Sequence, residues 1–369
     1  MWPRTRPPLL DVIAAYGSGR TDFPFASLPA PCLSWALGSG LAPLLARTCR
    51  DDPAAPDSPG WAMVRGADLA ARVETEYLAD AAVELIEACL PRVGLVTLLK
   101  GIWLSHTVYP EPHLRPMADI DVMVEPNAVE EVEQVLLGLG YGPLPGWDPA
   151  QYRHHHHAVP YRHPQTSVSV EVHRRLMRAD GPYGGDDVFD TARVRACLRE
   201  GLFRGRPARH LSDELQVVYV AAHWAGTGPK AADAQMAWLD VMGLAPRIDW
   251  RRVLDEVPGT AAASALVALT SYLQTRRLLA LDPEVQDGLW RSQRSFGAAN
   301  LALLRLILDR RLAEGRPDGR WVFTRYNAEI VWETLLRPRP PLVNLLALLP
   351  SLYRAHWGRR TPTDPRPRE

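Results

Sequence analysis

Apolar and polar positions alternate most clearly in a short segment near residue 120. There Ile120, Val122 and Val124 alternate with Asp119 and Asp121. Because side chains alternate across a strand, the pattern predicts a strand that buries its apolar face and presents both carboxylates on the other. Like charges so close favour a cation between them, and Mg²⁺ prefers carboxylate oxygens. A solvated edge strand would show the same short pattern.

The same alternation returns in residues 167–173. One face carries only valines and the other carries polar side chains, namely Val168, Val170 and Val172 against Ser169, Glu171 and His173. A strand of this kind beside the acidic one would place Glu171 next to both aspartates. We therefore expect three carboxylates from two strands to share one face of a sheet.

A third pattern predicts a turn from a strand into a helix. The apolar run 94–99 ends in Lys100-Gly101, and a helical pattern follows as far as Tyr109. The first N–H groups of that helix would favour a phosphate beside Lys100. Arg115 precedes the acidic strand and can pair either with an aspartate or with phosphate oxygens. Three carboxylates and a lysine in this arrangement are typical of metal-assisted phosphoryl transfer.

The remaining chain shows mostly helical spacing. Helices are predicted at about 9–16, 32–47, 67–90, 128–139, 213–225, 231–244, from 249, at 260–279, 298–312 and 325–357. Asn127, Ser212, Asp249 and Thr260 are expected to begin helices. Residues 175–210 are expected to be irregular. We divide the chain into a helical region 1–90, a core 91–210, a helical region 211–357 and a disordered tail 358–369. The fold class is α+β, with a small mixed sheet.

The order of these motifs resembles a known family over about residues 65–255. Lys-Gly, Arg115-Pro116, Asp-Ile-Asp, Gly140-Tyr141 and Val-Glu-Val-His follow one another as in the bacterial uncharacterised nucleotidyltransferase family, a branch of the DNA-polymerase-β-like superfamily. The resemblance implies that Asp119 and Asp121 bind Mg²⁺ (or Mn²⁺) and a nucleoside triphosphate such as ATP. It also implies that Glu171 shares a metal and activates an acceptor hydroxyl.

The residues expected to bind the triphosphate depart from the superfamily pattern. The usual Gly-Ser at the first core helix is replaced by Lys100-Gly101, and the nearest serine is Ser105. We assign nucleotide binding to these three residues and to Arg115. A protein that keeps the fold and binds nucleotide without turnover therefore stays open as the alternative function.

Several histidines are candidates for the substrate pocket. Strand alternation would send the run His154–His157 to opposite faces, so at most two could share a site, and His157 is the one expected to face the carboxylates. His173 would either orient Glu171 or touch substrate. The resemblance places His223 and Asp240 at the cleft. The alternative is that both residues are buried and have a structural role, linking two helices.

Composition and charge bear on DNA binding, on the state of the cysteines and on membrane insertion. The formal net charge is zero, so bulk DNA binding is not expected, and Lys100 is one of only two lysines among 42 basic residues. Four scattered cysteines lack zinc-site spacing and are expected to be reduced thiols in a cytoplasmic protein. No window has the roughly 18–20 apolar residues that span a membrane.

Together with these patterns, the resemblance implies transfer of a nucleoside monophosphate to an unknown acceptor hydroxyl, with release of pyrophosphate. The acceptor class stays open between a small molecule, a peptide or protein and an RNA end.

Two other classes of enzyme also carry D-x-D motifs. A haloacid-dehalogenase-type phosphatase needs a buried strand leading into Asp119, and residues 114–118 do not supply one. A glycosyltransferase needs a larger nucleotide-sugar fold upstream.

Overall fold

The computed structural model describes residues 7–146, 152, 155–179, 183–226, 234–293, 301–302, 304–305, 308–309 and 312–313. Within them the chain is an α+β protein built on one mixed sheet, as the sequence predicted. The helix predicted at 325–357 and the tail 358–369 lie outside the described residues, and the helix at 298–312 does so in part.

Helices alone occupy residues 8–93, strands and helices are mixed between residues 97 and 211, and helices alone follow in the described part of the chain. The helices are α1 (Pro8–Gly17), α2 (Ala30–Gly38), α3 (Ala42–Thr48), α4 (Trp61–Val93), α5 (Lys100–Thr107), α6 (Val129–Gly138), α7 (Thr191–Ala196), α8 (Asp213–Gly226), α9 (Ala234–Leu244), α10 (Trp250–Glu256), α11 (Ala261–Thr275) and α12 (Pro283–Ser292). The strands are β1 (Thr97–Leu98), β2 (Asp119–Met123), β3 (Gly142–Pro143), β4 (Tyr161–Arg162), β5 (Ser169–His173), β6 (Leu198–Phe203) and β7 (Arg206–Leu211).

The strands lie in the order β3-β4-β5-β2-β1-β7-β6. The two acidic strands, β2 and β5, are parallel neighbours at the centre. β1 runs antiparallel to β2 and parallel to β7, while the outer pairs are antiparallel. The apolar faces of β2 and β5 are fully buried, which fixes their register and turns the polar faces the same way.

One hydrophobic cluster runs from Leu9 to Leu312 through the sheet and the helices around it. Helix α4 packs on α3 and α6, and α8 packs on α9 and α11. The domain boundaries predicted at residues 90/91 and 210/211 stay predictions. Among the described residues, no helix has both the length and the apolar content needed to cross a membrane.

Helix α4 is longer than the sequence predicted. Pro91 was expected to end it, but Pro91 lies in the last turn, and Gly94 with φ +77° follows the helix. Of the apolar positions that marked the helix, Leu85 is buried as expected, whereas Leu69 is 63% exposed. Helical spacing identified the helix but assigned part of the wrong face to the core.

The expectation of irregular structure in residues 175–210 was wrong. α7 and the hairpin β6-β7 occupy this region, and the hairpin turns at Arg204 and Gly205, both with positive φ. β7 then extends the sheet by pairing Arg209 with Thr97. The sequence concealed these strands because they contain Gly201 and Pro207 and lack alternation.

Helix boundaries followed the capping signals in part. Asp249 and Thr260 accept hydrogen bonds from the first N–H groups of α10 and α11, as predicted. Asn127 makes no capping bond, because a 3₁₀ turn at Pro126–Ala128 precedes α6, so that prediction was wrong. The helix predicted at 32–47 is two helices, broken where Gly40 adopts φ +75°.

Candidate active site

The parallel pairing of β2 and β5 builds the site. Asp121 lies directly opposite Glu171, and Asp119 lies opposite Ser169. Both strands present their polar faces together because their apolar faces share the core. The expected convergence of a third carboxylate on the D-x-D pair is therefore present.

His173 lies deeper in the same face than the sequence indicated. Its ring is fully buried, and its Nε2 lies 2.7 Å from Asp121 Oδ1 and 3.7 Å from Glu171 Oε2. One ligand atom each from Asp121, Glu171 and His173 lies within 4.8 Å of the other two. Asp119 is outside this trio, because it lies two residues before Asp121 on β2, a separation of about 7 Å along the strand.

The ammonium group of Lys100 is the positively charged side chain beside the carboxylates. Its Nζ lies 3.3 Å from Asp121 Oδ2 and 5.6 Å from the centre of the Tyr219 ring. Lys100 starts α5 with φ +40°, a left-handed conformation that costs an L-residue about 1–2 kcal/mol. A tight turn between β1 and α5 holds this conformation and directs the ammonium group to the carboxylates.

Charge is distributed unevenly over the three acids. Burial and the neighbouring charges of Asp121 and Glu171 raise the pKa of Asp119 to about 7. Burial also opposes ionisation of Asp121, but Lys100 and the hydrogen bond from His173 hold its pKa well below the usual range. Without a bound cation, Asp119 is thus the acid that takes up a proton near neutral pH.

The pKa values of Glu171 and His173 are also shifted by burial and by neighbouring side chains of the site. Burial raises the pKa of Glu171, but His173 outweighs this effect and keeps it below the ordinary value. Burial also disfavours the charged form of His173, yet its hydrogen bond to Asp121 raises its pKa. Since a carboxylate oxygen only accepts, Nε2–H of His173 is the donor in that bond.

Arg115 makes the aspartate pair that was one of its two predicted roles. Its Nε and Nη2 donate to the two carboxylate oxygens of Asp240 at 2.9 and 2.8 Å, and Tyr109 donates to the same carboxylate at 2.7 Å. Asp240 therefore links α9 to the loop before β2 through Arg115 and Tyr109. A Cβ on Gly101 would lie 2.5 Å from Arg115 Nη1, so the start of α5 also contacts this pair.

Ser105 is fully buried within α5. Its hydroxyl donates to the carbonyl of Ile102 at 3.2 Å and lies 2.9 Å from His106 Nδ1. These contacts hold the hydroxyl within its own helix. Lys100 and the first turn of α5 are therefore the parts of this segment that reach the carboxylates.

The histidine run does not form the regular strand that the sequence predicted. Of the strand predicted at residues 154–162, only the last two residues form a strand, β4, and His157 makes an isolated bridge to His173. His155 and His156 lie in a bend, so alternation does not apply and both rings contact His157. The expectation that at most two of these histidines share a site was therefore wrong. His154 lies outside the described residues.

His157 lies beside the carboxylates as expected, with Nε2 3.8 Å from Glu171 Oε2. His223 approaches from α8, and burial together with the charge of Lys100 lowers its pKa to about 3. Tyr219, one helical turn before His223, packs under Lys100 and was missed by the sequence analysis. Its position four residues before His223 on one helix face was the available signal.

Oxygen atoms from acids and one imidazole nitrogen are suitable ligands for a divalent cation. Asp121, Glu171 and His173 each have a ligand atom within 4.8 Å of the other two, and His173 could coordinate an ion only after giving up the Nε2 proton that it donates to Asp121. The two carboxylates fit a divalent metal, whereas Asp119, the third ligand predicted from the sequence, lies outside this trio.

Comparison with known proteins agrees with this geometry. A family model described as an uncharacterised nucleotidyltransferase matches residues 30–304. The chain belongs to this family. The match extends well beyond the 65–255 segment that carried the sequence resemblance and adds α2, α3, α11 and α12.

A crystal structure of an antigenic nucleotidyltransferase-like protein from Paracoccidioides brasiliensis is similar to this chain at 12% identity and a TM-score of 0.36. That similarity covers 60% of this chain and 94% of the other. No curated protein matches the sequence. Membership in the nucleotidyltransferase family implies a nucleotide substrate.

Proposed function

We propose that this protein transfers a nucleoside monophosphate from a nucleoside triphosphate to an acceptor hydroxyl. The observation that carries the proposal is the convergence of Asp119, Asp121 and Glu171 on one sheet face with Lys100 beside them. The acceptor oxygen forms a bond to the α-phosphorus, and the bond from that phosphorus to the β-phosphate oxygen breaks. Pyrophosphate leaves, and the acceptor proton goes to a base.

Glu171 is the proposed base and a shared metal ligand. Its depressed pKa keeps it ionised near neutral pH, so that it can accept the proton of the acceptor hydroxyl. Asp121 and Asp119 would hold Mg²⁺ or Mn²⁺ with it. When bound, a divalent ion neutralises triphosphate charge and lowers the pKa of the attacking hydroxyl.

The groups around the acids are assigned to binding and positioning. His173 orients Asp121 through its Nε2–H, and Lys100 with the N–H groups at Gly101 is placed to meet the triphosphate. His157 and His223 would line the substrate pocket. Arg115 and Asp240 are assigned to holding the loop before β2, and Ser105 to packing of α5.

The test is transfer of label from α-³²P-labelled nucleoside triphosphates with Mg²⁺ or Mn²⁺, using cell extract as a source of acceptors. A variant with Asp119→Asn and Asp121→Asn serves as the inactive control. Label in a product with the intact protein alone would support the proposal, and the size of that product would indicate the acceptor class. ATP is the first nucleotide to use.

Metal-dependent nucleotide binding without label transfer would instead support a nucleotide-binding scaffold. The replaced Gly-Ser motif and the engagement of Lys100 by Asp121 favour that second candidate. Cytoplasmic location and the absence of bulk DNA binding remain predictions from composition.

A further inference from the structure

A compact group of imidazoles lies next to the carboxylate site. His155, His156 and His157, here called the histidine cluster, have ring centres 4.2 to 4.6 Å apart in all three pairs. One nitrogen from each ring lies within 4.8 Å of the other two. Three consecutive side chains converge because the backbone bends at the first two residues.

Two of these rings have polar atoms that no described residue satisfies. Nδ1 of His155 and Nδ1 of His156 are buried and lack a hydrogen-bond partner within the described part of the chain. A buried ring nitrogen without a partner costs free energy, so natural proteins rarely leave one. Two such nitrogens in adjacent rings are therefore available to bind a ligand.

The orientation of His157 gives independent support. Its Nδ1 lies 2.6 Å from the carbonyl oxygen of Ala158, and a carbonyl can only accept, so Nδ1 carries the proton. In the neutral ring Nε2 is then unprotonated, yet it lies 3.8 Å from Glu171 Oε2. Nε2 therefore keeps a lone pair close to a carboxylate, a position that favours a bound cation. Metal-binding histidines are commonly oriented by such a carbonyl contact.

We propose that the histidine cluster binds one divalent transition-metal ion of the zinc type, separate from the ion of the carboxylate site. Imidazole nitrogens suit Zn²⁺, Co²⁺ and Ni²⁺, whereas Mg²⁺ prefers oxygen ligands. Three protein ligands leave a fourth position open to water or another ligand. Small ring rotations would bring the three nitrogens to the roughly 2.0–2.1 Å bonds that zinc needs.

The test measures metal binding to the full-length protein without nucleotide. Chelator-treated protein in excess Mg²⁺, which occupies the carboxylate site, is titrated with Zn²⁺ by calorimetry and with Co²⁺ by visible absorption. We expect one Zn²⁺ per chain and a Co²⁺ spectrum indicating nitrogen ligands. His156→Ala should weaken Zn²⁺ binding by more than the roughly 10–100-fold that loss of an outer partner costs.

His163→Asn is the matched control. His163 lies at the turn between β4 and β5, where its Nδ1 accepts bonds from the N–H groups of Gln165 and Thr166, and asparagine can accept similar bonds. This variant should bind Zn²⁺ normally. His155→Gln provides a second cluster variant at a partly exposed position if His156→Ala fails to fold by circular dichroism.

The outcomes also separate this site from the proposed enzyme activity. The variant with Asp119→Asn and Asp121→Asn should lose label transfer but keep Zn²⁺ binding. Absence of Zn²⁺ binding to the wild-type protein in excess Mg²⁺ would overturn the proposal. Unchanged Zn²⁺ binding in folded cluster variants would overturn it as well, since the ion would then lie elsewhere.

Discussion

The guanidinium group of Arg115 donates two hydrogen bonds to the carboxylate of Asp240, which lies 125 residues later in the chain. The pair is buried, and Tyr109 adds a third bond to the same carboxylate. It fastens α9 to the loop that leads into the acidic strand. The position of Asp119 and Asp121 thus depends on a contact with the helical second half of the protein.

Asp240→Ala should therefore be strongly destabilising. Removing one partner of a buried ion pair leaves an uncompensated charge and costs about 3–5 kcal/mol. Urea denaturation would measure the loss of unfolding free energy. Asp213→Ala, which removes the exposed pair with Arg247, is the control and should cost about 1 kcal/mol or less. Equal losses in the two variants would contradict the anchoring role.

Gly101→Ala tests the close approach of α5 to the same pair. The added Cβ would lie 2.5 Å from Arg115 Nη1 and 3.2 Å from Met117 Cβ, so overpacking should cost about 1–3 kcal/mol. Gly66→Ala on α4 is the matched helical control, because nothing lies within 4 Å of its Cβ position. That control should instead gain roughly 0.5–1 kcal/mol. Thermal denaturation of both variants distinguishes crowding from helix propensity.

Metal affinity should rise with pH through the titration of Asp119. Its pKa of about 7 means that a cation must displace a proton below that pH. Mn²⁺ binding, followed by electron paramagnetic resonance, should be about tenfold tighter at pH 8 than at pH 6. Asp119→Asn should bind Mn²⁺ more weakly with a flatter pH dependence. A wild-type affinity that is constant over this range would rule out Asp119 as the titrating ligand.

The same shift predicts how stability changes with pH in metal-free protein. The folded-state pKa of Asp119 lies above its unfolded value of 3.8, so the folded state binds more protons between about pH 4 and 7. Stability from this group is therefore fully present below pH 4 and is lost as pH rises to 7. Asp119→Asn should raise the melting temperature at pH 8 and change it less at pH 5. An equal effect at both values would contradict the shift.

Lys100→Met tests the cation of the site. The variant leaves the charge of buried Asp121 without its nearest positive partner, so metal-free protein should be less stable, and Mg²⁺ should restore more stability than it does in the wild type. Transfer activity should fall about 10²–10³-fold if Lys100 also meets the triphosphate. The melting temperature with and without Mg²⁺, compared with label transfer, separates the two roles. Loss of stability with full activity would confine Lys100 to neutralising Asp121.

Period-two alternation in β2 and β5 was sufficient to predict their polar and apolar faces. One residue of slip would expose an entire row of valines, so hydrophobic burial alone specifies which side Asp121 and Glu171 occupy. Helical spacing identified most helices for the same reason. It misplaced Leu69 because the pattern shows that a helix has an apolar side but not how much of it a partner covers.

The hairpin β6-β7 and the histidine cluster could not be predicted in this way. The hairpin strands contain Gly201 and Pro207, and β7 pairs with β1, a partner about 110 residues earlier in the chain. The histidines converge through a backbone bend that is held by a bridge to His173. Neither feature is encoded in local periodicity.

The sequence by itself determined the α+β class, the family resemblance and the shared face of the three candidate acids, because alternation and motif order are local properties of the chain. Only the tertiary structure decided that Arg115 binds Asp240, that Lys100 and His173 both contact Asp121, and that Tyr219 packs beneath Lys100. These contacts join segments far apart in the chain. Their partners are chosen by packing and by the need to compensate buried charge, which emerge only when the whole core has formed.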